Sequence, residues 1–166
     1  MRGYLKPRRN AADEQFVSRD SLRYAACART RDVKWCVIMN KIRALIIDDS
    51  SVMRKIVERS LRQAGVDLEK VWEASNGAEA LISLQSNAVD IILCDINMPV
   101  MDGMEFVRQV STVKSARGIP IVMITTEGSE SHVVEALSSG ARGYIRKPFT
   151  PDQVKEHVLP LLGMKS

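Results

Sequence analysis

Cysteine is scarce in this chain, with three in 166 residues, at positions 27, 36 and 94. That wide spacing excludes a disulfide framework and fits a reducing, cytoplasmic setting. Long apolar runs are missing too. None approaches the ~20 residues of a membrane-spanning helix, so no membrane insertion is expected. There is no secretory hydrophobic core near the start, and the acids among the first residues argue against an organellar transit peptide. The glycines form neither a GxGxxG nor a Walker pattern, so no nucleotide site is indicated.

The net charge of +4 invites a nucleic-acid reading. Its distribution removes that reading. Residues 1–40 carry nine Lys/Arg and four Asp/Glu, whereas residues 41–166 carry fifteen and sixteen. The basic part shows no sustained periodicity, and the nearly neutral part shows no basic recognition stripe and no DNA-binding module after Gly163. Residues 1–40 therefore read as a basic, unstructured extension, either translated upstream sequence or a docking arm. Met39 stands directly before Asn40-Lys41-Ile42-Arg43, and no core is expected upstream of Lys41. The remaining length is one domain's worth.

What is present is a set of strand-length apolar runs, each ending in a polar residue. Ala44-Leu45-Ile46-Ile47 runs into Asp48-Asp49, and Ile91-Ile92-Leu93-Cys94 into Asp95. Ile121-Val122-Met123-Ile124 runs into Thr125, and Gly143-Tyr144-Ile145-Arg146 into Lys147. Ligands of open parallel α/β sheets bind beyond the carboxyl ends of the strands. Such ends delivering acids, a hydroxyl and an ammonium describe one phosphate-handling pocket.

Between the runs, apolar residues recur at helical spacing: Met53, Ile56, Val57 and Leu61, then Ala78, Leu81, Ile82 and Leu84. Phe106, Val107, Val110 and Val113 follow, then Val133, Val134 and Leu137, and last Val154, Val158, Leu161 and Leu162. Strand and helix alternate, which predicts βαβ units and an α/β, doubly wound sheet of five parallel strands. The runs near 45, 92 and 122 are apolar throughout, as strands covered on both faces are. Lys70-Val71-Trp72-Glu73-Ala74 and Gly143–Arg146 are mixed and read as edges, favouring the order 2-1-3-4-5. Thr150-Pro151-Asp152-Gln153 reads as a capping box with proline at the first helical position. Pro160 is expected to end or kink the last helix.

Residues 41–163 resemble a receiver domain of the two-component response regulators, most like the single-domain chemotaxis type. The resemblance rests on Leu45-Ile46-Ile47-Asp48-Asp49-Ser50, Asp95-Ile96-Asn97-Met98-Pro99-Val100-Met101-Asp102-Gly103, Ile124-Thr125-Thr126 and Gly143-Tyr144-Ile145-Arg146-Lys147-Pro148-Phe149. It implies a flavodoxin-like receiver fold and a cis Lys147-Pro148 peptide. Three carboxylates within about 5 Å repel by roughly 3 kcal/mol per pair at an effective dielectric near 20, so such a cluster needs a cation. Hard oxygen ligands suit Mg²⁺. By resemblance, Asp49, Asp95 and the backbone carbonyl of Asn97 ligate it, and Asp48 acts through water. Asp95 is also the phosphoacceptor, Lys147 neutralises the transferring oxygens, and Thr125 donates its hydroxyl to the phosphoryl group.

The resemblance further implies a signalling switch rather than an enzyme. A histidine kinase supplies the phosphoryl group, and Thr125 and Tyr144 relay it to a protein partner through the face of the fourth helix, fifth strand and fifth helix. A monomer is expected. Asn97 and Glu127, each two residues past a site residue, would tune hydrolysis in the fast, chemotaxis-like manner. Gly128-Ser129-Glu130-Ser131 departs from that type, which tends to carry lysines at the start of its fourth helix. A phosphorelay shuttle is the alternative role. A haloacid-dehalogenase-type phosphatase is the alternative class, but it needs acids at i and i+2 of the first strand, where this chain has Asp48-Asp49-Ser50. Cys94 reads as a buried small hydrophobe, and His132 and His157 as surface or boundary residues.

Overall fold

A computed structural model of the chain describes residues 41–126 and 130–164. The N-terminal extension (1–40), Glu127, Gly128 and Ser129 lie outside the described residues. The strands are β1 (Ile42–Ile47), β2 (Leu68–Ala74), β3 (Ile91–Cys94), β4 (Ile121–Thr125) and β5 (Gly143–Arg146). The helices are α1 (Ser51–Gln63), α2 (Gly77–Ser86), α3 (Gly103–Val110), α4 (Glu130–Ser138) and α5 (Pro151–Val158). All strand pairs are parallel and the order is β2-β1-β3-β4-β5, as the alternation predicts.

Side-chain alternation divides the core into two layers. Ala44, Ile46, Ile91, Leu93, Val122 and Ile124 point to one face, where Val57 and Leu61 of α1 and Val154 and Val158 of α5 cover them. Leu45, Ile47, Ile92, Cys94, Ile121 and Met123 point to the other, against Ala80 and Leu84 of α2, Phe106 and Val107 of α3, and Ala136 of α4. Because β1, β3 and β4 are covered on both sides, every residue but Arg43 is buried there. Of the edge strands, β5 alternates, whereas β2 is buried only at its two ends and half-buried or exposed between them.

The helix ends follow from capping chemistry. Ser50, Asn76, Asp102 and Thr150 each accept a hydrogen bond from the backbone N–H three residues on. The Thr150–Gln153 capping box forms in both directions. As Pro160 predicts, α5 stops at Val158 and a 3₁₀ turn covers Pro160–Leu162. The Lys147-Pro148 peptide is cis, as expected.

Some helical stripes lie elsewhere than the spacing predicts. Ile82 is 66% exposed, and the buried line of α2 is Gly77, Ala80 and Leu84. In α4, Val134 and Leu137 are exposed while Ala136 is fully buried. Ile56 of α1 is also exposed, beside buried Val57. The physical reason is close approach. Small residues let a helix sit low on its neighbours, so large residues one or two positions away, about 100° or 200° round the helix, are left outside. At Gly77 an added Cβ would come within 2.7 Å of Met101 and 2.9 Å of Phe106, which leaves room for glycine alone. Val100 departs from rule in another way. It is 85% exposed and holds a φ of 70°, a strained conformation for a β-branched residue.

Candidate functional site

The site assembles because parallel strands deliver their ends to one edge of the sheet. The backbone N–H of Asp48 donates to Ala74 O, and that of Asp95 donates to Ile47 O, so both acids continue the ladder just past their strands. The Lys147 N–H donates to Thr125 O, extending β5 in the same way. Asp48 and Asp95 are thereby held rigidly, and both are buried, while Asp49 faces solvent. The three carboxylates offer oxygens that all lie within 4.8 Å of one another.

One cation reaches into this cluster from the protein itself. Lys147 Nζ donates to Asp48 Oδ2 at 2.7 Å and to Asp95 Oδ2 at 2.9 Å, with all three side chains about nine-tenths buried. Burial opposes the ammonium, but the hydrogen bonds to Asp48 and Asp95 and their charges outweigh it, and its pKa lies above the ordinary 10.5. For a group raised in this way, the stabilisation is complete below the unfolded pKa. It is lost as pH rises through the folded one, so the ammonium is charged at neutral pH. The remaining carboxylate oxygens are anchored by backbone: Ser50 N–H donates to Asp48 Oδ1, and Ile96 N–H to Asp95 Oδ1.

The loop after Asp95 is fitted just as closely. Gly103 N–H donates to Ile96 O, and a Cβ at Gly103 would collide with the carbonyl oxygen of Asp95. Asp102-Gly103 thus serves to pack α3 directly under the acid. Cys94 is completely buried, and desolvation followed by the Asp95 and Asp48 charges pushes its thiol well up, so it is no nucleophile.

The acids open into a cleft of about 400 Å³ that is also lined by Lys147 and by an apolar wall of Met53, Ile56, Pro148 and Phe149. Asn97 is exposed in the β3–α3 loop. Thr125 is fully buried behind the cleft, and it is the exposed Thr126 that lines it. Tyr144 is half-buried and packs on the α2–α3–α4 layer, paired in register with Met123. Glu127 falls outside the described residues, and His157 sits exposed on α5. The structure therefore brings together Asp48, Asp49, Asp95 and Lys147. The apolar wall and Thr126 were not anticipated. Ile56 carried a signal for that wall, but helical spacing alone reads it as core.

No helix among the described residues is long and apolar enough to cross a membrane. The sequence model of one family, the response regulator receiver domain, matches residues 44–159. The chemotaxis protein CheY1 of Helicobacter pylori is 42% identical over 123 residues, which is 74% of this chain and 98% of that protein. A CheY homologue of Campylobacter jejuni is 42% identical over 75% of this chain and 95% of its own length. Among solved structures, Vibrio cholerae CheY4 superposes with a TM-score of 0.65 at 36% identity, over 73% of this chain and 98% of that one. The receiver domain of the Pseudomonas aeruginosa sensor kinase PA1611 was solved with magnesium coordinated in its active-site cleft. It gives a TM-score of 0.65 at 25% identity, covering 74% and 98% of the two chains.

Proposed function

The chain belongs to the response regulator receiver family, and on that premise we propose that it is a phosphoryl-accepting switch whose Asp95 is loaded by a histidine kinase. The observation that carries this reading is the clustering of Asp48, Asp49 and Asp95 at one sheet edge, with the Lys147 ammonium bonded to Asp48 and Asp95. Two-component signalling is the family's business, and receivers act in it as signalling proteins.

The donor set fits Mg²⁺. Three clustered carboxylates supply hard oxygens, and few protein ligands leave space for the waters this ion retains. Asp49, Asp95 and the Asn97 carbonyl would hold it, with Asp48 acting through water; the magnesium of the Pseudomonas receiver supports the assignment. When bound, the ion neutralises charge on the transferring oxygens. The chain's own groups do the rest. An oxygen of the Asp95 carboxylate forms the new P–O bond while the phosphorus–nitrogen bond to the donor histidine breaks, its electron pair staying on the imidazole. Lys147, already 2.9 Å from Asp95, balances the charge on the resulting acyl phosphate. Thr125 would donate its hydroxyl to a phosphoryl oxygen, and Tyr144 would change burial. The α4–β5–α5 face is then altered for a protein partner, a local charge event read by a bistable element. The similarity to chemotaxis proteins supports a role of that type, and no nucleic-acid partner is proposed.

The test is direct. With Mg²⁺ and a small phosphodonor, the protein is expected to gain a single, hydroxylamine-labile phosphoryl group and then stop. Continued turnover of a generic phosphate ester would instead indicate a phosphatase and overturn the reading.

The lifetime of the phosphoryl state depends on water reaching it in line. Asn97 lies two residues past Asp95 and is exposed. With Glu127 it matches the pattern of fast self-hydrolysis. In single-turnover decay, Asn97→Arg is expected to slow phosphate loss several-fold. Unchanged decay in that variant and in Glu127→Lys would favour a slower relay role.

A further inference from the structure

Arg54 touches none of the reacting groups, yet it holds the turn that presents two of the acids. Its Nη1 donates to the carbonyl oxygen of Asp48 at 2.7 Å, and its Nε donates to Glu73 Oε2 on β2 at 2.8 Å. Glu73 is fixed in turn, because its Oε1 accepts from Lys55 Nζ at 2.7 Å. The guanidinium side chain is only 15% exposed. Its place in the helix makes sense on no local ground. Arg54 lies in the first turn of α1, which contains no acid, and a cation there opposes the helix dipole.

The carbonyl it grips belongs to the peptide joining Asp48 to Asp49. Rotation of that peptide would swing the Asp49 carboxylate relative to those of Asp48 and Asp95. The joints on either side are already tied, by Asp48 N–H to Ala74 O and by Ser50 N–H to Asp48 Oδ1. Arg54 supplies the remaining tie. We propose that Arg54, aimed by Glu73, is a positioning residue that fixes the Asp48–Asp49 peptide so that the three carboxylates converge on a divalent cation. This rests on the metal-dependent phosphoacceptor reading above. The planar fork matters more than the charge, since a lysine cannot serve the carbonyl and Glu73 together with two fixed N–H vectors.

The experiment compares the full chain with Arg54→Gln, Arg54→Lys and a core control in the same helix, Val57→Ala. Three quantities are measured on each: Mg²⁺ affinity by calorimetry, amide hydrogen exchange at Ser50, and stability in urea. Supports held by outer hydrogen bonds typically contribute ten- to a hundredfold in metal affinity. Arg54→Gln is expected to weaken Mg²⁺ binding about tenfold and to speed exchange of the Ser50 N–H, which is bonded to Asp48 Oδ1, by a similar factor. Val57→Ala should lower stability without either local change. Full recovery of affinity by Arg54→Lys would overturn the geometric role in favour of charge alone. Exchange that Arg54→Gln leaves unchanged, or that Val57→Ala speeds equally, overturns the proposal outright. Should the unaltered protein bind no Mg²⁺ while exchange still answers to Arg54→Gln, the metal reading fails and the positioning role stands.

Discussion

Asp95→Asn is expected to abolish phosphoryl incorporation, by about a thousandfold or more, while leaving a folded protein. An amide has no oxygen basic enough to displace a phosphoryl group. The structural cost of the change is small, for identifiable reasons. The sheet bond from Asp95 N–H to Ile47 O belongs to the backbone and survives. The asparagine oxygen can keep the bond from Ile96 N–H now made to Oδ1. Only the Oδ2 position changes character, placing an NH₂ donor against the Lys147 ammonium and leaving that lysine its bond to Asp48 at 2.7 Å. Intact-protein mass after incubation with Mg²⁺ and a phosphodonor reads the result, and urea unfolding checks the fold. Loading of the variant at Asp48 or Asp49 at the original rate would move the nucleophile elsewhere.

The legibility of this site in the sequence has a structural origin. Inner parallel strands are buried on both faces, so β1, β3 and β4 appear as unbroken apolar runs. The first polar residue after such a run must lie near the sheet's carboxyl edge, which makes Asp48, Asp95 and Thr125 legible from sequence, whereas Lys147 follows the mixed edge strand β5 and is marked less sharply. Helix faces were less legible. Ile82, Val134 and Leu137 looked like core because large apolar residues dominate a periodicity reading. The contacts that decide the packing belong instead to Gly77, Ala80 and Ala136, whose smallness carries little pattern. Arg54 was invisible for a different reason. Its partners are a backbone carbonyl and a glutamate nineteen residues away, and no motif records either. The left-handed Val100 likewise gives no sign, since glycine or asparagine is what usually marks such a position.

The acidic cluster also predicts that function opposes stability at one residue. Asp48 and Asp95 share the Lys147 ammonium, whereas among the described residues no ion pair or hydrogen bond compensates the Asp49 carboxylate. Yet one of its oxygens lies within 4.8 Å of an oxygen of each of the other two acids. At that separation each like-charge pair costs about 1 kcal/mol in water and roughly 3 kcal/mol at an effective dielectric of 20. Asp49 is exposed and Lys147 offsets part of the field, so solvent screening favours the lower figure. Asp49→Asn is accordingly expected to stabilise the protein by about 1–2 kcal/mol in a chelator. The same substitution removes a proposed direct ligand, and Mg²⁺ affinity is expected to fall about a hundredfold, or ~2.7 kcal/mol. Since a ligand that binds only the folded state stabilises it in proportion to the logarithm of its saturation, added Mg²⁺ lifts the original protein far more than the variant. The two urea-unfolding curves should therefore exchange order as Mg²⁺ is raised from chelated to millimolar. A variant less stable than the original in chelator would show that Asp49 is not repelled by its neighbours. Equal stabilisation of both proteins by Mg²⁺ would remove Asp49 from the ligand set and leave Asp95 and Asn97 to carry the ion.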